Sequence, residues 1–70
     1  MINVSEIKSV KGYKACGHPF FDIVYMSGKT ITVIPERLPQ TARKFMQNCT
    51  VKVQYNNVFK RQEYIYEKER

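Results

Sequence analysis

Seventy residues at 8.3 kDa make one small domain spanning 1–70, and nine aromatics with 43% hydrophobic residues make it too apolar for a disordered tail. No apolar run approaches the roughly 18 residues of a membrane-spanning helix, and two cysteines with one histidine exclude both a disulfide-rich scaffold and a zinc site of Cys and His alone. Twelve Lys and Arg against six Asp and Glu give a net charge of +6, divided as +7 over residues 1–62 and −1 over 63–70, so the basic charge belongs to the body of the chain and not to a tail.

Met1-Ile2-Asn3-Val4-Ser5-Glu6 lacks the basic and apolar stretches of a secretory signal, which implies a cytoplasmic protein. The opening segment carries two patterns. Val4, Ile7 and Val10 recur every three residues, as in a helix, whereas Ile2 and Val4 alternate, as in a strand. A strand over about Val4 to Ala15 is expected, because a lone hairpin needs a further neighbour to be stable. From Phe20 to Ile34 the signal is a hairpin. Phe21, Ile23 and Tyr25 alternate with Asp22, Val24 and Met26, Gly28 allows the turn, and Thr30-Ile31-Thr32-Val33-Ile34 returns until Pro35 ends the ladder. The period then changes. Pro39 suits a first helical turn, Ala42, Phe45 and Met46 form one apolar stripe opposite Arg43, Lys44 and Gln47, and Asn48 suits the C-terminal cap. Val51, Val53 and Tyr55 alternate with Lys52 and Gln54 in a fourth strand. Asn56-Asn57 signals a turn whose residues tolerate left-handed φ. A last strand over about Val58 to Tyr66 loses its alternation between Phe59 and Tyr64, which suggests a bulge or a change of exposed face.

The order β-β-β-α-β-β defines a mostly β domain with one short helix, as in a five-stranded OB-like small barrel or, alternatively, an SH3-like barrel. Phe21-Asp22-Ile23-Val24-Tyr25, Gly28, Val51-Lys52-Val53-Gln54-Tyr55 and Glu63-Tyr64-Ile65-Tyr66 fall where such domains carry their strands. Over roughly Phe20 to Glu67 the chain resembles the single-domain OB-fold proteins of the S1 type, most nearly the small bacterial translation initiation factors. It also resembles the OB domains of nucleotidyltransferases such as DNA ligases in its last hairpin. Asn48-Cys49 stands where those factors have Gly-Asp, and Pro35 and Pro39 stand where they have small and basic residues. The resemblance implies binding of nucleic acid without catalysis.

Three chemical motifs fall away on their spacing. Ser27-Gly28-Lys29-Thr30 resembles the end of a phosphate-binding loop, but position 23 is Ile23 where that loop needs glycine, and a β-branched strand follows where it needs a helix. Cys16, His18, Cys49 and Asp22 lack a second ligand pair for zinc, and no residue is marked to orient His18 for a thiol nucleophile. A Cys16–Cys49 disulfide does not suit a reducing compartment, and buried or loop positions account for these residues without chemistry. No enzyme, metal or cofactor is therefore expected.

The basic residues are interleaved with aromatics, and lysines attract phosphate while aromatic rings stack bases. Phe20 and Phe21 point to opposite faces of their strand, so one is left for a surface. The candidate nucleic-acid-binding set is Lys11, Tyr13, Lys14, Phe20, Lys29, Lys52, Tyr55, Lys60 and Arg61. The expected ligand is single-stranded nucleic acid or structured RNA, and neutralising about five phosphates predicts a slope of log K against log salt near −3 to −4. The alternative is a small basic regulator of phage or mobile-element type that docks on a larger acidic protein, with Arg43 and Arg61 gripping carboxylates. No membrane partner is expected, and an open strand edge could pair with a second copy of the chain.

Overall fold

The computed structural model describes residues 4–68. Ile2, part of the opening alternation, and Glu69 and Arg70, part of the C-terminal charge count, lie outside them. The described chain forms β1 (Ile7–Ala15), β2 (His18–Tyr25), β3 (Thr30–Val33), α1 (Gln40–Gln47), β4 (Thr50–Asn56) and β5 (Arg61–Glu67). Short 3-10 turns, Val4–Glu6 and Pro35–Arg37, precede β1 and α1. All pairings are antiparallel and the strands lie in the order β3-β2-β1-β5-β4. The sheet is not closed: β3 and β4 are its two edges. The chain between them crosses the sheet as α1, so a helix covers the core where a barrel would bring strands together.

One irregularity accounts for the double pattern of the opening segment. Ile7 pairs with Tyr25 and Ser9 with Val24, which leaves Lys8 as an extra residue in a bulge. Ile7 and Val10, three apart, therefore both reach the core. The strand begins at Ile7 and not at Val4, which sits in the 3-10 turn, and Met26 N–H donates to the Glu6 carbonyl at 2.7 Å to close that end. β1 and β2 are joined by Cys16-Gly17, both at positive φ, as a two-residue hairpin turn that follows the twist of the strands requires. Pro19 is tolerated in β2 because it lies beyond the Phe21–Val24 stretch that pairs with β3, so its missing N–H leaves no ladder incomplete on that side.

Helix α1 starts directly after Pro39 and is capped by Asn48, whose N–H bonds back to Phe45. Ala42 and Phe45 are buried and Met46 is half-buried, as the apolar stripe requires. They meet Ile7, Val10, Ile23 and Tyr25, with Ile31, Val33, Leu38 and Tyr66 packed around them.

Two expectations for the last hairpin are corrected. β5 starts at Arg61, because residues 57–60 form the turn; the lost alternation between Phe59 and Tyr64 is the passage from turn to strand and not a bulge. The left-handed residue is Lys60, at φ 53°, and not an asparagine. Asn56 contributes its side chain instead, its Oδ1 accepting from the N–H groups of Val58 at 2.9 Å and Phe59 at 3.1 Å.

Candidate functional site

Residues directly opposite in a ladder share a face of the sheet, so register assigns the surfaces. One face, the side of α1, carries two rows: Val33-Phe21-Gly12-Tyr64-Val53 and Ile31-Ile23-Val10-Tyr66-Val51. α1 covers the β1–β2 end of the second row, where Val10 and Ile23 are fully buried. It leaves β4 and β5 uncovered, and an open groove of about 500 Å³, to which α1 contributes no residue, lies across β1, β2, β4 and β5. Gly12 forms part of the floor. A Cβ there would stand 3.0 Å from Cε1 of Phe21, so the glycine leaves room for that ring to lie flat beside the groove. Phe21, Tyr64 and Tyr66 add aromatic surface, and Tyr55, a diagonal neighbour of Tyr64 across the β4–β5 pair, stands at the rim. Tyr55 is 56% exposed and Tyr64 43% exposed, so both rings offer surface to a ligand. Lys14, Lys60 and Arg61 also line the groove.

The opposite face is organised around a buried acid. Glu63 is 1% exposed, the one charged residue among the described ones in the core class. Its Oε2 accepts from Arg61 Nε at 3.0 Å and from Asn56 Nδ2 at 3.2 Å, and Lys11 Nζ stands 3.9 Å from its Oε1. Burial pushes the Glu63 carboxyl up, but the Arg61 hydrogen bond, the Lys11 charge and the amides of Asn56 and Gln54 outweigh it, so the net direction is down. The Arg61 guanidinium carbon lies 3.8 Å from the centroid of the Tyr13 ring and 4.6 Å from that of Phe59. Tyr13 in turn donates its hydroxyl to Asp22 Oδ1 at 2.8 Å, where Thr32 Oγ1 also donates at 2.7 Å. Burial, then the hydrogen bond and charge of Asp22, raise the Tyr13 hydroxyl above its ordinary value.

Of the nine candidate residues, Tyr13, Lys14, Phe20, Tyr55, Lys60 and Arg61 all line the one groove. The other three lie elsewhere. Lys11 faces Glu63, Lys52 shares the opposite face in the row Thr32-Asp22-Lys11-Ile65-Lys52, and Lys29 borders a separate hollow with Glu6 and Met26 at the β2–β3 turn. Within the six, the roles divide. The Tyr13 ring already has a guanidinium on its face and tilts against Phe20 at 6.1 Å, so it positions Arg61, while Tyr55 presents an open ring.

The candidate set left out Gly12, Pro19, Phe21, Gln62, Tyr64 and Tyr66 as lining residues, and Phe59 as a partner of Arg61. The Arg61-x-Glu63 alternation was the available signal for the ion pair. Among the described residues no three His, Cys, Asp or Glu side chains cluster as metal ligands. Burial raises the Cys49 thiol, which works against a reactive thiolate there. No described helix is long and apolar enough to cross a membrane. Comparison of the chain with protein-family models, with curated proteins and with solved structures finds no match.

Proposed function

We propose that this protein is a non-enzymatic module that binds single-stranded nucleic acid or an unpaired stretch of structured RNA in the groove across β1, β2, β4 and β5. The observation that carries this reading is the convergence of basic and aromatic side chains on one groove: Lys14, Lys60 and Arg61 around Tyr55, Tyr64 and Phe21. A flexible strand can splay its bases, stack them on aromatic rings and leave its phosphates to the cations; a duplex keeps its bases stacked on one another. In this reading the OB-like or SH3-like likeness lies in the mode of binding, a β-surface with exposed rings and a basic rim, carried by an open sheet.

Lys14 and Lys60 are exposed and Arg61 is shared with Glu63, so the groove neutralises about two to three phosphates. The salt slope for a single strand should then be near −2, shallower than the count of lysines suggests. The test is fluorescence anisotropy with labelled single-stranded RNA, single-stranded DNA and duplex at about 50 and 300 mM salt. Salt-sensitive binding that favours single strands is the expected result. Tyr55→Ala and Tyr64→Ala should each weaken it by about 5- to 150-fold, the worth of one base–aromatic stack. A flat salt response, or full affinity in the Tyr55→Ala, Tyr64→Ala double variant, sinks the reading. The exposed Val58 and Phe59 at the β4–β5 turn favour the second reading, docking on a larger acidic protein. Retention of one protein partner at high salt, without nucleic acid, would establish that reading instead.

A further inference from the structure

The two edges of the sheet are protected unequally. β3 has four residues and runs through Ile34 into Pro35, which cannot donate to a further strand. β4 has seven residues, no proline or glycine, and one charge, Lys52. Its helix-side residues are apolar and open: Val51 is 45% exposed and Val53 55%, although their ladder neighbours Tyr66 and Tyr64 are continuous with the core rows. Apolar alternation in β1 and β2 ends in the buried side chains Ile7, Val10, Ile23 and Tyr25; in β4 the same alternation faces solvent.

We infer that β4 is the seam of a two-fold homodimer, in which β4 of a second copy pairs antiparallel with it and extends the two sheets into one. A two-fold axis perpendicular to the sheet keeps both α1 helices on the same side and pairs a residue with its own copy at the centre. Centred on Val53, the register pairs all seven residues of each strand: Val53 with Val53, Val51 with Tyr55, Lys52 with Gln54, and Thr50 with Asn56. Apolar residues then meet on the helix side and Lys52 meets a neutral amide on the other. A register centred on Lys52 would set two ammonium groups directly opposite, which is unfavourable, and one centred on Gln54 would pair only five residues. Beside the seam, Val51, Val53 and Tyr55 of each copy cover one another. The net charge of +6 per chain opposes association, so salt strengthens the dimer while it weakens nucleic-acid binding. Tyr55 lies both beside the seam and on the rim of the groove, so the dimer is measured without nucleic acid.

The experiment is sedimentation equilibrium of the full chain from about 5 to 500 µM at low and high salt, a range that covers a small, weak interface. The expected result is a mass rising to twice 8.3 kDa, at lower concentration in high salt. Val53→Lys places like charges on the axis and should weaken the dimer about tenfold or more; because Val53 is exposed, its circular dichroism and melting should match those of the parent in dilute solution, where both are monomers. Register is read by cross-linking in a Cys16→Ser background, since directly opposed residues in an antiparallel pair stand about 4.5–5.5 Å apart, within disulfide reach. Val53→Cys should cross-link with itself under mild oxidation. Val51→Cys should not do so alone but should with Tyr55→Cys. A monomer at the highest concentration, association beyond two copies, an unaffected Val53→Lys dimer, or efficient self-cross-linking of Val51→Cys would each overturn the inference.

Discussion

A carboxylate in the least exposed class of a basic domain has to be held by more than one partner, and Glu63 has Arg61, Lys11 and Asn56. The arrangement ties the groove, through Arg61, to the stability of the fold. Arg61 spends its Nε on Glu63 and its planar face on Tyr13, so its orientation toward the groove is fixed before any ligand arrives. Because the Glu63 carboxyl is depressed in the folded protein, its contribution is complete above the pKa of the unfolded chain and is lost as pH falls through the lower folded value. Glu63→Gln should cost about 1–3 kcal/mol at neutral pH, a large share of what so small a domain has. Urea unfolding at neutral and acid pH checks this: the gap between the two proteins should narrow in acid, where the parent protonates. An equal gap at both pH values would show that the charge contributes nothing. The sequence carried no mark of this burial, since a lone glutamate in a strand reads as facing water and only the register brings Lys11 of β1 beside Glu63.

At the scale of elements, the β2–β3 hairpin and α1 were legible because each keeps one period throughout and is bounded by Gly28, Pro39 or Asn48. The opening strand was ambiguous for a physical reason: a bulge at Lys8 gives two inward residues three apart, the spacing a helix also gives. The β4–β5 turn was misread because Lys60 takes a left-handed conformation without a glycine to announce it. What makes that turn affordable is Asn56, which accepts from two turn N–H groups and donates to Glu63. Asn56→Ala should therefore destabilise the protein by about 1–2 kcal/mol, read as a fall in the urea midpoint with an unchanged slope. Under the proposed function, loss of nucleic-acid affinity should accompany it, because the turn sets the position of Lys60. The groove itself was only partly legible: its residues could be picked by type, but that β5 lies between β1 and β4 is a long-range fact that no local pattern carries.

For the whole molecule, the register divides the positive charge between two faces, and the groove draws Lys14 and Tyr55 from one and Tyr13, Phe20 and Arg61 from the other without reaching Lys52. Lys60 lines the groove whereas Lys52 does not, so the charge-reversal variants Lys60→Glu and Lys52→Glu should part company. Under the proposed function, Lys60→Glu should weaken single-strand binding and flatten the salt slope by about 1 or more, while Lys52→Glu should leave both close to the parent values. Anisotropy titrations at three salt concentrations decide this. Equal losses would mean that the net charge attracts the strand without a defined surface.

Helix α1 rests on the β1–β2 half of its face and leaves the β4–β5 half without a cover. In hydrogen–deuterium exchange of the dilute chain, that asymmetry becomes a gradient in time. Amides of β1, with a ladder on each side and a helix above, should be the last to exchange, and those of β4 among the first of any strand. The half of the sheet that opens soonest is thus the half that carries Tyr55 and Tyr64, and the rigid half is the frame against which it moves.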